Sequence, residues 1–161
     1  MGSPRPRVVN EPTDPGTGPS MARRRLARAR ALLPVVAVVS LGGSAGAAAR
    51  YGASLLWPTA SGTFPWTTLT VNVVGCAVIG VFMVVISDVW AAHRLVRPFF
   101  GTGVLGGFTT FSTYAVDIRL LAGSGRPATG MAYLGLTPVA ALASVWSAVW
   151  VTRRVVAWRQ T

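Results

Sequence analysis

The chain has 161 residues, 52% hydrophobic and 12% charged, with a mean hydropathy of +0.52. That balance leaves too little polar surface to coat a soluble domain and indicates a small polytopic membrane protein. The net charge of +11 comes from arginine with no lysine. In a soluble chain it would point to nucleic acid, but these arginines flank long apolar runs, so membrane topology accounts for them and a nucleic-acid role is excluded.

Residues 1–30 are expected to form a disordered basic tail, because the Pro- and Gly-rich stretch from Met1 to Ser20 has little apolar surface to bury. Met21, just before Arg23, Arg24 and Arg25, is an alternative start to Met1. The membrane domain is placed at 31–155. Its first span, 31–57, is long enough to cross a bilayer. It also has the layout of a signal peptide, with Ala45-Gly46-Ala47 as the small-residue triplet, although the helical pattern continues through Ala49 and Arg50.

The second span, 66–89, follows Pro65, a residue tolerated at the first turn of a helix. The third, 98–121, contains Gly106-Gly107-Phe108-Thr109-Thr110-Phe111-Ser112-Thr113-Tyr114, glycines and hydroxyls set in an apolar run. Backbone at membrane depth must be satisfied internally, so such an interruption survives only against protein or a wet cavity and marks an ion site. The fourth span, 128–151, leads into Arg153 and Arg154, and 156–161 form a short basic tail.

Four spans put both termini on one side. With that side cytoplasmic, Arg23, Arg24, Arg25, Arg28, Arg30, Arg94, Arg97, Arg153, Arg154 and Arg159 stand against Arg50, Arg119 and Arg126 opposite, ten to three. The bias predicts one fixed orientation in the cell membrane. Gly42 with Gly46, and Gly103 with Gly107, give two small-residue faces for close helix approach. Cys76 reads as a packing thiol, and with the single histidine, His93, it makes no structural zinc site. No nucleophile with a base or intramembrane carboxylate pair is present, so an enzyme is not expected.

These residues resemble the Fluc (CrcB) family of fluoride channels. Gly42-Gly43-Ser44-Ala45-Gly46-Ala47 with Arg50-Tyr51 matches its first helix, and Phe64-Pro65, Thr68-Leu69 and Val71-Asn72-Val73-Val74-Gly75 the start of its second. The Gly106–Thr113 string matches its third-helix break, and Tyr133 its fourth-helix tyrosine. The resemblance covers about residues 35–155. It implies an all-α fold, an antiparallel dimer of four-helix subunits broken in the third helix, two fluoride pores, and a structural sodium ion (Na+) at the interface. By that correspondence the pore residues are Asn72, Phe111, Ser112, Thr113, Tyr114, Tyr133 and Thr137, with Arg50 at a vestibule. The Gly106 and Thr109 carbonyls would hold the sodium.

The chemistry of these residue types agrees. Fluoride is small and strongly hydrated, so a pore must replace water with donors such as an asparagine amide and hydroxyls. Aromatic ring edges carry partial positive charge and can face an anion. Two positions depart from the family pattern: Tyr114 stands where a second phenylalanine is usual, and Ala141 where a serine is usual. Arg50 reads either as a snorkelling anchor or as vestibule charge, and Asp117 either as the family's acidic position or as a solvated helix end. Replacing Asn72 or Phe111 is expected to lower flux with assembly intact.

The function expected is fluoride export that relieves toxicity, with fluoride and the bilayer as partners. Two alternatives stand beside it. One is a non-conducting or half-active subunit paired with an oppositely oriented paralogue rather than with itself, which the arginine bias supports. The other is a small four-helix multidrug or guanidinium exporter, which needs an acidic residue in its first span; this chain has none there.

Overall fold

A computed structural model describes residues 21–89 and 94–159, so the first twenty residues of the expected tail, Trp90, His93 and the last two residues lie outside it. Helix α1 runs Met21–Leu56. It therefore begins ten residues before the apolar run, and the 21–30 part of the expected tail is helical. Arginine, alanine and leucine are all strong helix formers, so the basic flank keeps the helical winding where its apolarity ends. By internal contacts the chain divides at Leu32. Of the first unit only 21–32 are described, a mostly exposed helical stretch.

In the second unit, α1 ends at Leu56 and the chain turns through 57–65 to α2, Trp66–Val84. The Thr67 hydroxyl donates to the Trp57 carbonyl, tying the first turn of α2 to the end of α1. Residues Val85–Val89 continue as π-helix, as do Pro98–Leu105. A three-residue helix, α3, Gly106–Phe108, follows directly. Residues 109–111 are not helical, and α4, Ser112–Gly123, resumes beyond them. Helix α5 spans Pro127–Arg159, continuing past the expected 151 through its arginines.

The turn between α4 and α5 has a chemical cause. Gly125 adopts φ +77°, its N–H donates to Ala122, and the Arg126 N–H donates to Leu121. This paired closure satisfies the last carbonyls of α4, and Pro127 then opens α5 where no N–H is needed.

Contacts set the relative directions. Gly42 faces backbone between Phe99 and Val104, and Gly46 faces Val104 and Phe108, so α1 runs parallel to the 98–108 segment. A Cβ at Gly46 would run into the Val104 carbonyl, and one at Gly107 into the Gly43 carbonyl. Glycine is required here by backbone approach, and both small-residue faces are spent on a contact within the chain. Helix α2 packs along α5, with Ser144 donating to the Val73 carbonyl at 2.8 Å and Gly80 against Val145 and Ala148. Leu69, Tyr114, Leu121 and Tyr133 form the buried centre between α2, α4 and α5, with Phe64, Val73, Ile118 and Ala140 around them.

Among the described residues the fold is all-helical, and three helices, within Arg28–Leu56, Trp66–Ser87 and Pro127–Arg159, are long and apolar enough to cross a membrane. The 98–121 stretch does not add an uninterrupted fourth, because 109–111 divide it. Leu41, Val139, Leu142 and Trp146 point outward, as apolar side chains facing lipid or another subunit would.

Candidate functional site

The interruption at 109–111 sets the site. Thr109 leaves the helical region, with ψ 153°, and the backbone that follows must find partners elsewhere. Asn72, buried on α2, supplies them. Its Oδ1 accepts the Thr110 N–H at 2.8 Å and its Nδ2 donates to the Thr110 carbonyl at 3.0 Å. One primary amide thus replaces both lost backbone bonds of a single residue, and its second N–H has no partner among the described residues. Gly75, one turn on, leaves room for the Thr109 methyl, which a Cβ there would strike.

Thr110 then starts the second half. Its hydroxyl accepts the Thr113 N–H at 3.1 Å, donates to the Thr113 hydroxyl at 3.0 Å, and lies 3.3 Å from Ser112 Oγ. This satisfies one of the open amides at the beginning of α4. Thr110 is the hub of the break and is absent from the residues expected at the pore. Its signal was present in the sequence as a hydroxyl residue three positions before Thr113, the local pattern by which threonine captures helix-starting amides.

These commitments free specific carbonyls. In an unbroken helix the Gly106 carbonyl would accept from Thr110 N and the Thr109 carbonyl from Thr113 N. Here Thr110 N bonds Asn72 and Thr113 N bonds the Thr110 hydroxyl. Gly107 has a substitute, since Arg50 Nε donates to its carbonyl at 3.3 Å. Arg50 is half-buried and turned towards the broken segment, the opposite of a side chain snorkelling to water.

A cavity of about 480 Å³ opens beside the break, lined by Asn72, Cys76, Thr109, Thr110, Phe111, Tyr114, Leu134, Thr137, Pro138 and Ala141. Of the expected pore residues it brings together Asn72, Phe111, Tyr114 and Thr137. Ser112 and Thr113 sit beside it, bound to Thr110, and Tyr133 stands behind Tyr114. Cys76, expected as a packing thiol, is half-buried on the wall. Ala141 occupies the wall too.

The aromatic groups form a chain. Phe111 is 79% exposed, and its ring centre lies 5.7 Å from that of buried Tyr114. Tyr114 is 5.2 Å from Tyr133, which is fully buried and meets Phe64 edge-on at 5.3 Å. The Tyr133 hydroxyl donates to Asp117 Oδ2 at 3.4 Å, and Thr68 also reaches that carboxylate. Asp117 therefore belongs to a half-buried polar cluster rather than to a solvated helix end. One turn along α5, Thr137 Oγ1 is buried and makes no hydrogen bond of proper geometry among the described residues, although it lies near the Tyr133 phenol. A buried hydroxyl without a partner is costly unless something visits it.

The family model for CrcB-like protein, Camphor Resistance (CrcB), matches residues 37–149. The chain is 71% identical over 132 residues to Fluoride-specific ion channel FluC 1 of Streptomyces coelicolor, covering 82% of this chain and 86% of that protein. It is 67% identical over 137 residues to FluC 2 of Streptomyces avermitilis, covering 85% of each. More distantly, it is 40% identical over 115 residues to FluC of Paracoccus denitrificans, covering 71% of this chain and 91% of that one.

Proposed function

Because the chain belongs to the CrcB family, we propose that it is a membrane channel that lets fluoride leave the cytoplasm and so relieves fluoride toxicity. It is a transport protein rather than an enzyme. Relatives at 71% and 67% identity are named fluoride-specific ion channels, which supports fluoride as the ion.

The observation that carries the reading is the cavity beside the break, which Thr137 lines together with Asn72 and Phe111 and whose wall holds the buried Thr137 hydroxyl, without a hydrogen-bond partner of proper geometry among the described residues. A dehydrating fluoride needs donors. Thr137 has a hydroxyl proton to give, Asn72 keeps one N–H after bonding Thr110, and Phe111 and Tyr114 add ring edges. An inside-negative potential then drives the anion outward without coupling to another solute. Arg50, held at Gly107, adds positive charge near the break.

Sodium fits the same segment. Gly106 and Thr109 present carbonyls whose usual helical donors are committed elsewhere, and backbone oxygens suit a hard alkali cation. Gly106 has open space where a Cβ would stand, and Phe111 is largely exposed in one chain. Both features leave room for a second copy of four spans to face the break, as the antiparallel dimer expected from the family resemblance requires. Bound there, the cation would tie the subunits together.

A second reading concerns the partner. Ten arginines against three favour one orientation with both termini in the cytoplasm, whereas an antiparallel homodimer needs both orientations. This supports pairing with an oppositely oriented paralogous subunit. Purified chain reconstituted alone in liposomes tests both readings by fluoride electrode, with chloride as control. Fluoride-selective efflux supports a homodimeric channel. Efflux that appears only with an opposite-facing paralogue supports the heteromer, and none in either case would refute the channel.

A further inference from the structure

We propose that Tyr114 is a positioning residue whose phenol replaces the backbone donor that Pro138 removes from α5, fixing the turn of α5 that carries Thr137. In an uninterrupted helix the Leu134 carbonyl accepts from the N–H of residue 138. Pro138 has no N–H, and its ring crowds that same carbonyl. At membrane depth no water makes up the loss, so the carbonyl needs a donor from within the protein.

That donor is Tyr114. Its hydroxyl reaches across from α4 to the Leu134 oxygen at 2.6 Å, a short and well-formed bond. The ring is fixed at the same time, buried between Phe111 at 5.7 Å and Tyr133 at 5.2 Å. The phenol that distinguishes this chain from the phenylalanine pattern is thus occupied by backbone. It is not held out to an ion, while the ring still lines the cavity. Tyr114 and Pro138 form a matched pair, each compensating for what would be a defect in the other's setting.

The turn they brace is the cavity's own wall, since Leu134, Thr137 and Pro138 all line it. Thr137, whose hydroxyl has no partner of proper geometry among the described residues, immediately precedes the proline. Loss of the brace leaves the partly buried Leu134 carbonyl without its donor and loosens the turn that carries Thr137. The backbone pairing stands on this geometry alone, and its bearing on conduction rests on the channel reading above.

The test is a double-mutant cycle over the wild type, Tyr114→Phe, Pro138→Ala and the double variant, each measured for thermal stability in detergent and for fluoride efflux in liposomes. Tyr114→Phe is expected to lower Tm by several degrees and efflux by about fivefold, the scale of one buried hydrogen bond. In the Pro138→Ala background the substituted alanine supplies the missing N–H, so the same change costs little Tm, and the double variant regains the efflux that Tyr114→Phe loses. Equal Tm losses in both backgrounds would overturn the pairing, and a double variant as impaired as Tyr114→Phe would overturn the positioning role. If none of the four passes fluoride, either alone or with an opposite-facing paralogue, the channel reading fails with the positioning role, while the Tm cycle still decides the pairing.

Discussion

Two contacts converge on the 98–114 segment, and they are built from opposite materials. On one side α1 meets it mainly through glycines, backbone against backbone, with the Arg50 guanidinium on the Gly107 carbonyl as the one polar side-chain contact there among the described residues. On the other side α2, α4 and α5 meet it through an asparagine, threonines and aromatic rings around an open cavity. The glycine contact has no room for an added carbon at Gly42, Gly46 or Gly107 and serves to hold. The second has room to spare, yet nearly every polar group in it is already committed. What stays uncommitted there among the described residues, the Thr137 hydroxyl and one Asn72 N–H, is what an ion could use.

The comparison breaks most completely at the glycine seam. Gly46→Val sets branched carbon against the Val104 carbonyl, where neither backbone can give way. The expected result is loss of folded, monodisperse protein by size-exclusion chromatography, with no variant left to assay for flux.

Asn72→Ala comes next. It strands the partly buried Thr110 N–H and carbonyl, and a fully buried polar group left unpaired costs about 1–3 kcal/mol. A large fall in thermal stability and in fluoride efflux together is expected. This revises the expectation from sequence that assembly would be indifferent to Asn72. Phe111→Ala should behave differently, because a side chain 79% exposed in the single chain contributes little to its fold. Its Tm should shift little while efflux falls, provided assembly is assayed in parallel.

The smallest effect sharpens the contrast within α1 itself. At Gly52 a Cβ would meet nothing within 4 Å, unlike at Gly46 six residues earlier. Gly52→Ala should therefore stabilise the helix by about 0.5–1 kcal/mol, through propensity alone, as a small rise in Tm. A fall instead would place a neighbouring subunit against that turn.

Much of this was legible in the sequence, and the failures have physical causes. The apolar runs at 31–57, 66–89 and 128–151 are where the three long helices lie, since bilayer-length apolarity is a strong signal. The helix ends were missed at Met21 and Arg159 because apolarity reports the bilayer, whereas arginine, valine and alanine go on winding beyond it. The Gly-Gly and Thr-Thr string showed that the third stretch is special. It did not show that Asn72 serves the Thr110 backbone, because an amide's partners across a fold depend on register and not on residue type. Thr110 was overlooked for a related reason: its hydroxyl acts on local backbone, which resembles ordinary capping. Tyr114 looked like an added hydroxyl in the pore, and only its reach to Leu134 shows that hydroxyl spoken for.

The central claim is that the uncommitted groups beside the break serve the ion, and Thr137→Val tests it most directly. Valine keeps the shape and removes a buried hydroxyl that has no partner among the described residues, so the fold should be unharmed or about 1 kcal/mol more stable. Fluoride efflux, read by electrode against wild type at equal insertion, should fall roughly tenfold even so, the scale of one lost charge-assisted hydrogen bond. Efflux equal to wild type from a stably folded Thr137→Val protein would contradict the account and move the ion's path away from this cavity.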